Sequence, residues 1–211
     1  MALRRNKQKF RDEIAPKAPP QVEGVRHRGP WDSSERSPDG DDTYVNLGPL
    51  IVRVYEGLEV QLPADGDGSE IGSVVLVADS AALELRAFAA TRSGGLWDEV
   101  RDDIILEVAR LGGECEQVDG LFGPELLIKV PVELPDGGKG FQPSRIVGIE
   151  GPRWLLRATF LGEAGLSPSD EGLLMDTLRD VIVDRGAEAR IPREALLLTV
   201  PSDATMIEAE E

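Results

Sequence analysis

The stretch Arg145-Ile146-Val147-Gly148-Ile149-Glu150-Gly151-Pro152-Arg153-Trp154-Leu155-Leu156-Arg157-Ala158-Thr159-Phe160 constrains the fold of this chain more than any other. Two runs of β-branched, aromatic and aliphatic residues flank Gly151-Pro152, which is the pattern of a β-hairpin. With Gly151-Pro152 as the loop, Glu150 faces Arg153 and Ile149 faces Trp154. Proline is less usual than Asn-Gly in a hairpin turn, so a longer loop or a shifted register is the alternative. A period of two puts Val147, Ile149, Trp154, Leu156, Ala158 and Phe160 on one face, which reads as core. The other face carries Ile146, Gly148, Leu155 and Arg157. If that face is covered, Arg157 needs an acceptor.

An echo of the hairpin lies upstream. Residues 75–87 align without gaps on residues 146–158, with Leu85, Arg86 and Ala87 matching Leu156, Arg157 and Ala158 in identity. Each stretch is followed by a short Gly- or Pro-bearing loop and a helical pattern. Either a hairpin–helix pseudo-repeat or two hairpins obeying the same sheet rules accounts for this.

The remaining elements follow from periodicity. Short strands are expected at residues 50–55, 58–62, 74–78, 83–90 and 125–134, with a short segment at 114–118. Trp97, Val100, Ile104, Val108 and Leu111 recur at helical steps, and Gly112 suits the left-handed residue that ends such a helix. Ser167-Pro168-Ser169-Asp170 has the composition of a helix start, with Leu173, Leu174, Leu178, Val181 and Ile182 as its buried stripe. Residues 196–200 read as a strand or a docked extended run. The acidic residues around Asp65-Gly66-Asp67 lack the calcium-loop frame and read as a solvated turn.

Composition enters through what it excludes. One histidine, His27, lies in a Pro-, Gly- and Arg-rich leader, so residues 43–201 contain no imidazole for a Ser-His-Asp or Cys-His pair or for a histidine-ligated zinc. No spacing of carboxylates suggests a metal or glycosidase site, and no cofactor is expected. The single cysteine, Cys115, sits between Glu114 and Glu116, reads as a packed thiol and suits a reducing, cytoplasmic setting. A net charge of -16 disfavours nucleic acid as a partner of the body. Arg4, Arg5, Lys7, Lys9 and Arg11 leave it open for the arm. No apolar run is long enough to span a membrane, and no membrane partner is expected.

Two features invite ligands or partners. Arg92-Ser93-Gly94-Gly95 precedes the first helix, where free backbone N–H groups attract anions. Arg153 and Arg157 are candidates to join it, though arginines so placed more often pair with a local carboxylate, here Glu150. Trp31, in Gly29-Pro30-Trp31-Asp32, is a tryptophan in a polar segment and reads as an anchor, docking preferentially on this same chain.

Several separated blocks resemble an actinobacterial family of uncharacterised proteins, a domain of unknown function. They are Phe88-Ala89-Ala90-Thr91-Arg92-Ser93-Gly94-Gly95-Leu96-Trp97-Asp98-Glu99-Val100-Arg101, Phe122-Gly123-Pro124-Glu125-Leu126, Gly151-Pro152-Arg153-Trp154, Val183-Asp184-Arg185-Gly186 and Pro192-Arg193-Glu194. Gly29-Pro30-Trp31-Asp32 resembles a block upstream of the domain. The resemblance implies a cytoplasmic protein, often encoded near dUTPase. It implies no activity and no catalytic residues.

The expected architecture is an α+β domain with an antiparallel sheet of about seven or eight strands and two main helices packed on it. Residues 1–42 are expected to form a disordered or extended arm, residues 43–201 the domain, and residues 202–211 an acidic frayed tail. The functional expectation is a non-catalytic interaction module with an unidentified protein partner. The alternative is a small-anion or nucleotide-binding domain using Arg92, Ser93, Gly94, Gly95, Arg153 and Arg157.

Overall fold

A computed structural model describes residues 28–63, 70–133 and 137–201. The basic leader before Arg28, with His27, the turn at Asp65–Gly68 and the tail after Pro201 lie outside the described residues. In chain order the strands are β1 (Trp31–Asp32), β2 (Tyr44–Asn46), β3 (Leu50–Arg53), β4 (Glu59–Gln61), β5 (Val74–Ala78), β6 (Ala81–Ala89), β7 (Glu114–Gly120), β8 (Gly123–Glu133), β9 (Lys139–Gly151), β10 (Trp154–Gly162) and β11 (Ile182–Val183). The helices are α1 (Leu96–Arg110), α2 (Glu163–Leu166) and α3 (Leu173–Asp180).

The central hairpin forms as β9–β10 with its turn moved by one residue. Gly151 faces Trp154, Glu150 faces Leu155 and Ile149 faces Leu156. The loop is therefore Pro152-Arg153. Proline followed by a positive φ, 64° at Arg153, is the type II turn pattern. Moving the turn by one residue slides the ladder by a pair and keeps each residue's face. Val147, Ile149, Trp154, Leu156, Ala158 and Phe160 accordingly share one core cluster.

These strands sit inside an open antiparallel sheet of order β4-β5-β6-β10-β9-β8-β7. One face packs against α3, through Leu174, Met175 and Leu178, and against the buried Leu196 and Leu198. The other face, with Leu126, Ile128, Ile146 and Leu155, is covered by α1 through Leu96, Trp97 and Val108. Helix α1 ends where sequence places the stop. Gly112 has φ 73°, and the N–H groups of Gly112 and Gly113 bond the carbonyls of Ala109 and Val108, which is a Schellman motif.

The mixed α+β class and the seven-stranded antiparallel sheet agree with sequence, but one sheet does not account for the fold. A second sheet of order β1-β11-β3-β2 lies on the α3 side, parallel only where β1 meets β11. It exists because the helix expected after Ser167 is shorter than its apolar stripe. The Asp170 carboxylate and the Ser169 carbonyl are drawn to Arg145, at 2.7 Å each, so they do not cap a helix. The helix starts after Gly172 instead. At its other end the β-branched run Val181-Ile182-Val183 becomes strand, paired with Trp31 on one side and Ile51 on the other. The short α2 fills the gap before it.

The upstream echo has a structural counterpart of limited extent. Arg157 stands opposite Arg86, Leu156 opposite Ala87 and Ala158 opposite Leu85, so the matched tripeptides are cross-strand partners. The relation stops at the sheet. Helix α1 covers the Leu155 face and α3 the Leu156 face, whereas a rotation about the sheet normal would leave both helices on one face. A hairpin–helix repeat is not supported.

Candidate functional site

Strand β6 runs out at Ala89, and the chain turns through Thr91–Gly95 into α1. Positive φ values at Gly94 and Gly95, 67° and 87°, let the backbone present its N–H groups outward, as an anion site requires. The anion there is the protein's own. The Glu150 carboxylate accepts from Gly95 N–H at 3.1 Å, Leu96 N–H at 2.7 Å and Trp97 N–H at 3.2 Å. Glu150 therefore does not pair with Arg153 or Arg157 as sequence proximity suggested. It cancels the partial charge of the helix start and ties α1 to β9.

Of the expected ligand-binding residues, some gather here. Arg153 sits in the β9–β10 turn, and its carbonyl accepts the Ala90 N–H at 2.8 Å. This brings it beside Arg92, Ser93, Gly94 and Gly95. Arg92 is exposed, and the Ser93 hydroxyl meets that of Thr91 at 2.9 Å. Arg157 is elsewhere, four residues along β10, or about 13 Å at the rise of a strand. It faces the α1 side beside Gly148. There the Trp97 ring lies where a Gly148 side chain would start, only 2.0 Å from an added Cβ, and the indole N–H bonds the Pro124 carbonyl at 2.7 Å. The Arg157 guanidinium lies 5.7 Å from the Phe88 ring, and burial pushes its pKa down.

Trp31 is seated on its own domain. Its backbone N–H donates to the Val181 carbonyl at 2.8 Å and Arg36 stacks 5.6 Å from its ring. Arg36 in turn shares Asp180 with Arg53, each at 3.0 Å, and Tyr55 donates to the same carboxylate at 2.7 Å. Burial works against the charge on Asp180, but the hydrogen bonds from Tyr55, Arg53 and Arg36 outweigh it and hold its pKa low. Trp154 is fully buried, as its place on the core face requires, and donates to Asp32 at 2.8 Å.

Arg145 went unrecognised in the sequence as a hub. Its guanidinium is 3% exposed and lies 2.9 Å from the Glu125 carboxylate, which is 4% exposed. Asp170, Ser169 and the Phe160 ring complete its surroundings. Burial opposes the charge, yet the bonds to Glu125 and Asp170 raise the Arg145 pKa overall. The signal was present: strict alternation puts Arg145 on the same face as Val147 and Ile149, where an arginine must bring a counter-ion.

A concave surface lies on the same face of the sheet, beyond α2. Strands β8 and β9 extend past the end of β7, and α2 presses close to β9. An added Cβ at Gly165 would stand 2.8 Å from the carbonyls of Phe160 and Pro143. This leaves Leu166 projecting, 64% exposed, over a groove of about 430 Å³ lined by Leu127, Lys129, Pro143, Glu114 and Glu116. Alternation puts Phe141, also 64% exposed, on the same side as Pro143. The β7 strand bordering the groove is an edge of the sheet and carries Glu114, Glu116 and Asp119. Cys115 is half-buried in it, and burial raises its thiol pKa.

The family described as "Protein of unknown function (DUF3710)" matches residues 29–206. No curated protein matches the chain.

Proposed function

The chain belongs to the DUF3710 family of proteins of unknown function, and from that premise we propose that it is a non-catalytic, cytoplasmic protein-interaction module. Its partner is an extended segment of another protein that adds to β7 and lays side chains into the adjoining groove. The observation that carries this reading is the coincidence of a sheet edge with a concavity. An edge strand offers a row of N–H and C=O groups, and alternate side chains of an added strand need pockets beside it. The groove supplies apolar contact at Leu127, Pro143 and Leu166, and the strand supplies negative charge at Glu114, Glu116 and Asp119. A partner strand whose groove-facing side chains include both apolar and basic residues fits both. The tryptophan that sequence offered as an alternative anchor is engaged with its own domain at Val181 and Arg36, which favours the sheet.

A peptide-display selection tests the reading. Wild-type protein is expected to enrich sequences with both apolar and basic residues at every second position, and Leu166→Asp to lose them while keeping the wild-type fold. Enrichment indifferent to Leu166→Asp, or none at all, overturns it.

The alternative of an anion site at the α1 N-terminus has less support, because Glu150 already engages those N–H groups.

A further inference from the structure

We propose that residues 3–11 of the basic leader dock on β7 of the same molecule and lay alternate side chains into the adjoining groove, so that a partner must displace them. The inference rests on the interaction reading above and gives that site an internal competitor.

Charge is the first argument. Residues 1–27 carry seven basic against three acidic side chains, opposite in sign to the chain's net -16. Strand β7 turns the exposed Glu114 and Glu116 toward the groove, since they stand opposite Lys129 and Leu127 of its lining. Pattern is the second. Laid along β7 as a strand, the leader puts Leu3, Arg5, Lys7, Lys9 and Arg11 on one side and Arg4, Asn6, Gln8 and Phe10 on the other. The first set joins one apolar residue to four basic ones, which is what the groove face requires of an added strand. Nine residues also suffice to cover the seven of β7.

Reach is the third. The described chain begins at Arg28 and enters β1 of the second sheet, on the α3 side, which is the side of the groove. Three residues bridge the way between. Gly29 lies against the Arg179 carbonyl, Arg179 donates to the Asp170 carbonyl at 2.5 Å, and the Asp170 carboxylate accepts from Arg145 at 2.7 Å. Arg145 is two residues along β9 from Pro143 in the groove wall. Residues 12–27 can extend about 50 Å, more than the roughly 40 Å that a domain of this size measures across.

Tethering holds the leader on the edge more than contact does. It brings one apolar side chain, Leu3, to the groove, while the tether keeps it near a millimolar effective concentration. A partner richer in apolar residues at those positions displaces it and protects β7 further.

Hydrogen exchange on the full chain without added peptide tests this. Arg5→Glu with Lys7→Glu is expected to speed exchange along Glu114–Gly120 about threefold or more and to leave α1 unchanged. Arg4→Glu with Asn6→Asp and Gln8→Glu makes the same change of charge on the other side and is expected to have little effect. Wild-type β7 is expected to exchange at one rate whatever the protein concentration, because the contact lies within one molecule. A peptide with apolar and basic residues on one face should bind the Arg5→Glu, Lys7→Glu variant more tightly than wild type by the same factor, since both readouts report one docking equilibrium. Equal exchange in wild type and that variant, equal acceleration by both sets of substitutions, or protection that grows with concentration would overturn the inference. Peptide binding that persists alongside any of these leaves the interaction reading standing. Absence of peptide binding to every variant overturns that reading, with the leader still judged by exchange.

Discussion

Glu150 on β9 holds the Leu96 N–H of α1 at 2.7 Å, joining residues 54 positions apart in sequence. One carboxylate thereby replaces the capping side chain that α1 lacks, since its N-cap residue is Gly95. Glu150→Gln keeps the shape and loses the charge, and we expect a loss of about 1–2 kcal/mol in urea unfolding. Amide exchange at Gly95, Leu96 and Trp97 should quicken in step. Unchanged exchange there would contradict the capping role.

The Arg145–Glu125 pair is the most deeply buried ionic contact described, and it behaves asymmetrically under substitution. Glu125→Gln leaves an unneutralised guanidinium in the core and should cost about 3–5 kcal/mol. Replacing both partners with apolar residues, Arg145→Met with Glu125→Leu, should recover most of that loss. Asp170 is about half exposed and should matter far less, under about 1 kcal/mol on Asp170→Asn. A double variant no more stable than Glu125→Gln would contradict this account.

Asp180 supplies a pH dependence of defined sign. Its folded pKa lies below the ordinary aspartate value of 3.8, so its contribution is fully present above that value and is lost as pH falls through the folded pKa. The stability gap between wild type and Asp180→Asn should be constant from neutral pH down to about pH 5 and should narrow below about pH 4. Chemical denaturation across that range measures it. A gap that widens on acidification would reverse the sign and refute the assignment.

Gly148 is required by the Trp97 ring above it. Gly148→Ala puts a methyl where ring atoms lie 2.0 Å from the Cβ position, so Trp97 must move. We expect a loss of about 1–3 kcal/mol and a shift in tryptophan emission. Trp97→Leu in the same background should relieve part of the loss.

What sequence revealed and what it hid divide along one line. Alternation put Val147, Ile149, Trp154, Leu156, Ala158 and Phe160 on a common core face, and that survived a displaced turn because sliding by a pair preserves parity. Helix α1 and its glycine stop were equally legible, being local in origin. The second sheet was not, because a β-branched run such as Val181-Ile182-Val183 is read as helix or strand only once Trp31 and Ile51 are beside it. At the candidate site, helix start and carboxylate were each visible. Their meeting was not, since it depends on β9 lying beneath α1. Charged residues in apolar strands, Arg145 and Glu125, were the signals read too lightly.

The interaction reading is tested most directly by hydrogen exchange on the full chain with a saturating peptide that carries apolar and basic residues on one face of an extended strand. The account predicts new protection along Glu114–Gly120 and at Leu166, none at the opposite sheet edge, Glu59–Gln61, and loss of the effect in Leu166→Asp. Protection confined to other elements, or a β7 strand that exchanges at the same rate with and without peptide, would contradict it.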